Sequence, residues 1–396
     1  MNSIYRKSFF DMPENIIYLD GNSLGPLLKG ITEESERVIN KEWGEKLIKG
    51  WNESHWMDQP VRVGNKLARI LKAEDGSIIL GETLSLKLYQ ALGAALDFNN
   101  ERKVILTDSG NFPSDLYIAK GLIDTLNRNL ELRIVKPEEV ESSINEDVAV
   151  VMLTQVDYRT GRIHDLELIT KKSHASGAVM LWDLAHSAGA LPVNLEKSNC
   201  DFAVGCTYKY LNGGPGAPGF IYVRPDLIKK CSPTIKGWLG HKAPFAFERE
   251  FRKAETIDVM RVGTPSVIQM SILEKALDIW NNIEMLDLRE KTIELSEIFI
   301  CEMEKKCPQI KLASPRNSEL RGSQVSFFFD DGYAVIQALI DEGVIGDFRA
   351  PNIMRFGITP LYINEDDILN AVTCLERILR QDLWKKDKFT KKKAVT

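Results

Sequence analysis

VMLWDLAHSAGALPVNLEKSNCDFAVGCTYKYLNGGPGAPGFIYV, residues 179–223, is the stretch whose reading decides the fold. Its apolar run 179–182 ends on Asp183, and His186 follows two residues after Leu184. A second apolar run, 202–206, delivers Thr207, Tyr208 and Lys209. Then come the glycine-rich segment 212–219, NGGPGAPG, and a third apolar run, 220–223. Short continuous apolar runs that end on polar residues read as buried parallel strands. Open α/β sheets bind ligands beyond the carboxyl ends of such strands. An acid, a histidine and a lysine are therefore predicted on one rim.

That set suits pyridoxal 5'-phosphate (PLP). The cofactor needs a lysine amine for its Schiff base and a carboxylate facing its pyridine nitrogen. Lys209 would supply the amine and act as a base at the substrate's α-carbon; Asp183 would keep the ring nitrogen protonated. The two lie 26 residues apart, room for a crossover between neighbouring parallel strands. Taken singly, Asp183 reads as a capping residue and Lys209 as an exposed lysine after a strand. Their coincidence with His186, the Thr-Tyr-Lys triplet and the glycine run favours the cofactor.

The segments WDLAHSAGALPV, DFAVGCTYKYLNGGPGAPGF, GWLGH, NFPSD, DGNSLGP and MRFGITPLY, spread along the chain, follow the order they have in one family. Together they resemble kynureninases, a family of fold-type-I PLP-dependent enzymes related to the class V aminotransferases. The resemblance covers about 18–379; WDLAH and YKYLNGGPG are its specific parts, whereas DGNSLG is shared more loosely with related PLP enzymes. It implies an α/β, transferase-like fold with a mainly parallel sheet flanked by helices, plus a smaller α+β domain. It also implies hydrolysis of L-kynurenine to anthranilate and L-alanine, as in tryptophan catabolism and NAD biosynthesis. The expected division is 1–60 as an N-terminal arm and helix, 61–270 as the PLP-binding domain, and 271–396 as linking helix and small domain.

The totals agree with an enzyme of this size. The chain has 396 residues and a net charge of −5, so nothing points to a nucleic-acid surface. No apolar run approaches the roughly 18 residues of a membrane span. The start, MNSIYRKSFFDMPENI, lacks a signal peptide's apolar core. Six scattered cysteines, without CxxC or metal spacing, read as reduced thiols in a cytoplasmic protein. A homodimer is expected, with a small molecule as the only other partner; no metal is expected.

In chain order, 16–19 is a short strand pattern followed by the turn-forming DGNSLGP. The resemblance places its Asn22 and Ser23 near the substrate; an ordinary loop is the competing reading. Thr32 begins a helix with Glu33, Glu34 and Glu36 in its first turns. Trp43, Trp51 and Trp56 precede a helix over 61–71. Core packing explains three tryptophans, but the resemblance puts Trp51 or Trp56 at the aromatic end of the substrate pocket, where animal kynureninases carry a histidine.

A strand at 78–80 leads through Gly81-Glu82 into Thr83, Leu84 and Ser85 at the start of an amphipathic helix. Helix N-termini bind phosphate through free backbone N–H groups, so these three are candidates for the cofactor phosphate; a simple N-cap is the alternative. Strands follow at 103–107, 132–135 and 148–153. After the first, the resemblance has Phe112 stacking on the cofactor ring and Asp115 in the pocket, although Pro113 and Asp115 also suit a helix start. Thr154 ends the third and would reach the cofactor rim, while His164 has no evident role.

By resemblance Trp238 and Thr264 help hold the phosphate, in this fold sometimes from a partner subunit. Gly263-Thr264 resembles the bacterial pair, which favours kynurenine over 3-hydroxykynurenine. A helical pattern over 267–303 should bridge to the small domain, where 323–329 and 352–358 read as strands and 332–342 and 365–379 as helices. Arg355 sits where the family binds the substrate carboxylate; a surface salt bridge is the bland reading. Tyr208 is assigned to the phosphate and to a proton relay, and His186 to supporting Asp183 and the ring. The basic end, LWKKDKFTKKKAVT, reads as a frayed tail.

Three other functions compete. A cysteine desulfurase needs a nucleophilic cysteine on a mobile loop, whereas Cys301, Cys307 and Cys374 lie in or beside helical patterns. An aminotransferase would release a keto acid. A non-catalytic PLP-fold binding protein would not need Asp183, His186, Tyr208, Lys209 and Arg355 together. Dinucleotide binding is disfavoured because no GxGxxG follows an early strand.

Overall fold

Apolar runs too short for helices build the centre of the molecule, a computed structural model describing residues 4–5 and 7–391. The strands in chain order begin with β1 (Ile17–Tyr18), β2 (Ile78–Leu80), β3 (Val104–Asp108), β4 (Glu131–Val135) and β5 (Val148–Thr154). They continue with β6 (Val179–Asp183), β7 (Phe202–Gly205) and β8 (Phe220–Val223). The last are β9 (Lys311–Leu312), β10 (Gln324–Phe328), β11 (Val344–Ile345), β12 (Asp347–Arg349) and β13 (Ile353–Gly357). A seven-stranded sheet runs in the order β2-β8-β7-β6-β5-β3-β4, and β8 alone is antiparallel to its neighbours.

Both faces of this sheet are covered, which is why its central strands read as continuous apolar runs rather than alternating ones. Leu181 packs in one cluster with Leu88, Leu92 and Ala95 of the Leu84–Phe98 helix. Its neighbours Met180 and Trp182 point to the other face, with Leu166, Ile169, Val63 and Leu67. Trp182 is fully buried, and its indole N–H donates to Thr170 Oγ1 at 3.0 Å. Capping follows the local chemistry: Asp165 accepts from Leu168 N–H, and Asn364 and Asp367 form a reciprocal box opening the Glu365–Arg380 helix.

The chain passes from β3 outward to β4 and returns through β5 on the other side of β3. This reversal opens a crevice beyond the carboxyl ends of β3 and β5, where α/β sheets hold ligands. A second, four-stranded antiparallel sheet, β12-β13-β10-β9, packs with the Met285–Lys306 and Gly332–Asp341 helices. The N-terminal segment joins this part, because β1 pairs parallel with β11.

Two expectations are corrected. The helical pattern over 267–303 is not one helix: Val267–Ala276 tightens into a 3-10 segment, Leu277–Asn282, before Met285–Lys306 begins. Ile283 and Glu284 are extended there, and Asn281 and Asn282 have side chains that compete for backbone hydrogen bonds. The basic tail is not frayed as far as it is described. Leu383–Lys385 and Asp387–Thr390 form short helices, Phe389 is buried, and Trp384 meets Phe329 edge-on at 6.0 Å. Two apolar anchors outweigh the solvation of the lysines between them; 392–396 lie outside the described residues, as do 1–3 and 6 of the predicted arm.

Candidate active site

The register Thr154↔Asp183↔Val204 aligns the carboxyl ends of β5, β6 and β7. Asp183 is therefore delivered to the rim beside the turn that follows β7. That turn is pinned: Thr207 Oγ1 donates to the Pro218 carbonyl at 2.6 Å, and Gly213 N–H to the Thr207 carbonyl at 2.8 Å. The N-terminal segment lies across it, with Gly25 N–H donating to the Tyr208 carbonyl at 2.8 Å. A side chain at Gly25 would put Cβ 2.4 Å from the Lys209 carbonyl oxygen, so only glycine permits this approach. The outcome is that Lys209 Nζ lies 2.9 Å from His186 Nε2.

Electrostatics assign the protons. Burial, then the charges of Lys209, Arg355 and Arg349, push the His186 imidazole well below its ordinary pKa, so it is neutral. Lys209 donates to Nε2, which leaves the ring proton on Nδ1; that atom is buried without a hydrogen-bond partner. Asp183 accepts from Ala185 N–H at 2.8 Å and shares a hydrogen bond with Asp115. Burial raises Asp183 to about 6, against the pull of the Ala185 N–H and Lys209. Burial and the neighbouring Asp183 raise Asp115 well above the carboxylate range, and Asp115 Oδ2 is a second buried, unpartnered atom. Burial also raises the Tyr208 phenol, keeping it protonated.

At the crevice between β3 and β5, the Phe112 ring is 43% exposed and meets Tyr158 edge-on, centroids 5.0 Å apart. Phe112 leads into the Pro113–Leu126 helix, whose Ser114 hydroxyl lies 3.1 Å from that of Ser85 in the Leu84–Phe98 helix. Two helix N-termini thus converge with two hydroxyls, a ready anion site. Thr83 caps its own helix, accepting from Leu86 N–H at 3.4 Å, and Leu84 offers a backbone N–H. A Cβ on Gly219 would lie 2.7 Å from Leu84 N, so glycine is required where β8 begins beneath this turn. Thr154 Oγ1 is buried against the Val156 and Asp183 carbonyls. His164, without a predicted role, lies 2.5 Å from Asp108 and beside Arg162, tying the loop that presents Tyr158 to the end of β3.

The opposite wall comes from the small sheet. Arg355 is 2% exposed, and its bonds go to Asp347, the Tyr158 carbonyl and Ser23 rather than to the surface. Ser23 donates to Asp347 Oδ2 at 2.8 Å. Burial alone would raise Asp347; Arg355, Arg349 and Ser23 outweigh it and hold the carboxyl below its ordinary range. Asn22 is fully buried and donates to Gln324 Oε1 at 3.1 Å, one shell away from Arg355. Asp347, Arg349, Ser114 and Tyr158 were not foreseen; the signal for the first two was an acid and a base two residues apart in GDFRAPN.

Three predicted residues are not drawn into this constellation within one chain. No hydrogen bond, ion pair or ring contact among the described residues joins Trp51, Trp238 or Thr264 to Lys209, Asp183 or Arg355. Trp51 packs edge-on against Trp56 at 5.6 Å. Trp238 is 44% exposed beside Phe245 and Phe247, and Thr264 is exposed. Of the cysteines, only Cys301 is exposed, on the Met285–Lys306 helix next to Arg316, whereas Cys206 is buried beside Tyr208.

PLP fits this donor set. Lys209 offers the amine, the Asp183–Asp115 pair would suit a ring nitrogen, Phe112 offers an exposed ring, and Thr83, Leu84, Ser85 and Ser114 would suit the phosphate. The unpartnered His186 Nδ1 and Asp115 Oδ2 are what a polar ring would satisfy.

Residues 288–375 match the model of the kynureninase C-terminal domain. A kynureninase of Pseudomonas fluorescens is 45% identical over 98% of this chain and 95% of its own length. One from Burkholderia pseudomallei strain 1106a is 43% identical over the same shares. Among solved structures, an apo cysteine desulfurase from Thermococcus onnurineus NA1 superposes with a TM-score of 0.79 at 18% identity, covering 95% of this chain and 97% of that one. A C-DES variant with glycine covalently linked to its PLP cofactor gives a TM-score of 0.78 at 17% identity, covering 92% and 97%. At such identities the two structures speak for the fold alone.

Proposed function

This chain belongs to the kynureninase family, and from that premise we propose that it cleaves the Cβ–Cγ bond of L-kynurenine with water, giving anthranilate and L-alanine. The observation that carries the reading is the 2.9 Å approach of Lys209 Nζ to neutral His186, beside the buried Asp183–Asp115 pair. When bound, PLP supplies an electron sink for the pair of electrons released at the substrate's α-carbon.

The chain's own groups do the rest. Lys209 Nζ would hold the cofactor through its amine and is the base placed to take the substrate's α-proton. His186 accepts from Lys209 Nζ and so fixes where the amine points. Asp183 would keep a proton on the cofactor's ring nitrogen, and Asp115 shares its charge. Tyr208, kept protonated by burial, is a donor to the phosphate or to a leaving group. Thr83, Leu84, Ser85, Thr154 and Phe112 would hold the cofactor, while Arg355, Ser23 and Asn22 shape the carboxylate end of the substrate site.

Trp238 and Thr264 act across a homodimer in this reading. Trp238, Phe245 and Phe247 form an exposed aromatic group, 44%, 58% and 74% accessible, of the kind that marks an association surface. A second copy seated there would bring these residues, and Trp51, to its neighbour's pocket. The unhydroxylated substrate is preferred over 3-hydroxykynurenine, the domain division is 1–60, 61–270 and 271–396, and the compartment is cytoplasmic. Six free cysteines support a reducing compartment.

The test is an assay of purified protein with added PLP and L-kynurenine. Equal yields of anthranilate and alanine are expected. A PLP absorbance band without anthranilate would move the substrate to another reaction, and no band would remove Lys209 from its role.

A further inference from the structure

A carboxylate received by an arginine in two parallel hydrogen bonds needs two free N–H groups on one edge of the guanidinium. Arg355 does not have them. Four of its five N–H donors are engaged: Nε with Asp347 Oδ1 at 2.6 Å, Nη2 with Asp347 Oδ2 at 2.5 Å and Ser23 Oγ at 3.1 Å, and Nη1 with the Tyr158 carbonyl at 2.6 Å. One N–H on Nη1 is left. The positive charge is also matched, because Asp347 is as buried as Arg355, each side chain 2% exposed.

Arg349 has what Arg355 lacks. It lies two residues beyond Asp347 on β12, hence on the same face of the sheet, and Asp347 stands directly opposite Arg355 across the β12–β13 pair. Its Nη2 meets Asp347 Oδ2 at 2.8 Å, and its Nη1 donates to the Phe348 carbonyl at 3.0 Å. Its other N–H groups have no protein partner among the described residues. Its side chain is 36% exposed, so it is the cation that a ligand arriving from solvent can reach. Its partner Asp347 is shared with Arg355 and Ser23, which places it at the carboxylate end of the pocket rather than on a distant surface.

The charges lead to the same place. Arg355 and Asp347 alone are a neutral pair, and a buried neutral pair has little to offer an anion. With Arg349 the trio carries one net positive charge, matching one carboxylate. Asp20, raised by burial and by Asp347 to about 7, is about half protonated at neutral pH and so offsets only part of that charge.

We propose that Arg349 is a second contact for the substrate's α-carboxylate, and that the trio Arg349–Asp347–Arg355 sets the preference for an α-amino acid over the corresponding amine. This rests on the kynurenine-cleaving reading, but its test is separable, because it reads binding rather than turnover.

The experiment compares the holoenzyme with its Arg349→Met and Arg349→Lys variants. Affinity for L-kynurenine and for kynuramine, its analogue without the carboxylate, is read from ligand-induced changes in PLP absorbance; KM and kcat are read alongside. Loss of a charged hydrogen-bonding partner should weaken L-kynurenine binding roughly 10- to 100-fold in R349M. Kynuramine binding should change less than about twofold, and R349K should recover part of the loss. Equal weakening of both ligands, or an unchanged affinity for L-kynurenine, would overturn the proposal. If R349M fails to retain the PLP band, R349Q is scored by the same two affinities. A wild type that bound L-kynurenine without releasing anthranilate would fail the reaction and still score Arg349.

Discussion

Lys209 Nζ and His186 Nε2 stand 2.9 Å apart although 23 residues separate them, because β6 and β7 are adjacent and parallel. The imidazole is neutral, so it accepts from the lysine and adds no charge of its own to a pocket already holding two carboxyls. The first consequence concerns Lys209 itself. Lys209→Ala should lower anthranilate release by on the order of 10³-fold or more, since it removes both the attachment amine and the α-proton acceptor. The check is an initial rate by anthranilate fluorescence with the PLP spectrum recorded alongside; a rate within about tenfold of wild type would exclude Lys209 from the chemistry.

The Asp115–Asp183 pair makes the apoprotein's stability depend on pH. A carboxyl whose folded pKa is raised favours the unfolded chain when ionised. That penalty is complete above the folded pKa and disappears as pH falls toward the ordinary value of 3.8. Asp115→Asn should therefore raise the melting temperature of the apoprotein at pH 8, by a margin that shrinks as pH falls below the raised pKa of Asp115 toward 3.8. A gain that is constant between pH 8 and pH 5 would contradict the shared-charge arrangement.

Asp347 and Arg355 form a buried ion pair, and such pairs punish the loss of one member more than the loss of both. Asp347→Ala should cost about 3–5 kcal/mol by leaving a buried guanidinium unmatched. Asp347→Ala combined with Arg355→Met should cost less than that single change. Urea unfolding of the three proteins decides it; a double variant less stable than Asp347→Ala would show that packing, not charge, dominates the site.

The exposed ring of Phe247 offers a test of association. Phe247→Asp should shift the protein from dimer to monomer in sedimentation and weaken PLP retention by about tenfold or more, if Trp238 and Thr264 act on a neighbouring copy. A monomeric wild type that holds PLP would rule out that arrangement.

The cysteines separate this enzyme from the desulfurases it superposes on. Cys301→Ala should leave anthranilate release within about twofold of wild type, because its thiol sits on a helix beside Arg316 and outside the crevice. Sulfide release from L-cysteine that disappeared in this variant would revive the desulfurase reading.

Much of the architecture was legible because it is local. A buried parallel strand must be apolar along its length, so the runs ending at Asp183 and before Lys209 announced themselves, and turn chemistry after each run marked the rim. The helix break at 277–283 was not legible, because the apolar pattern continues through it while tertiary anchoring of Trp280 and Ile283 redirects the chain. The basic run after 383 misled for the converse reason: charge describes the solvated face and says nothing of where Trp384 and Phe389 dock.

The sequence by itself determined the strands, the side chains at their carboxyl ends and, through six matching segments, the family's chemistry. Those features depend on periodicity and on residue types a few positions apart. Only the tertiary structure decided that Arg355 spends its donors on Asp347, Tyr158 and Ser23, the last 332 residues away in the chain. It likewise decided that Arg349 is the more accessible cation, and that Trp238 and Thr264 stand apart from Lys209. Hydrogen-bond saturation and burial depend on strand register and on which segments fold back together, and neither is written in any single stretch of residues.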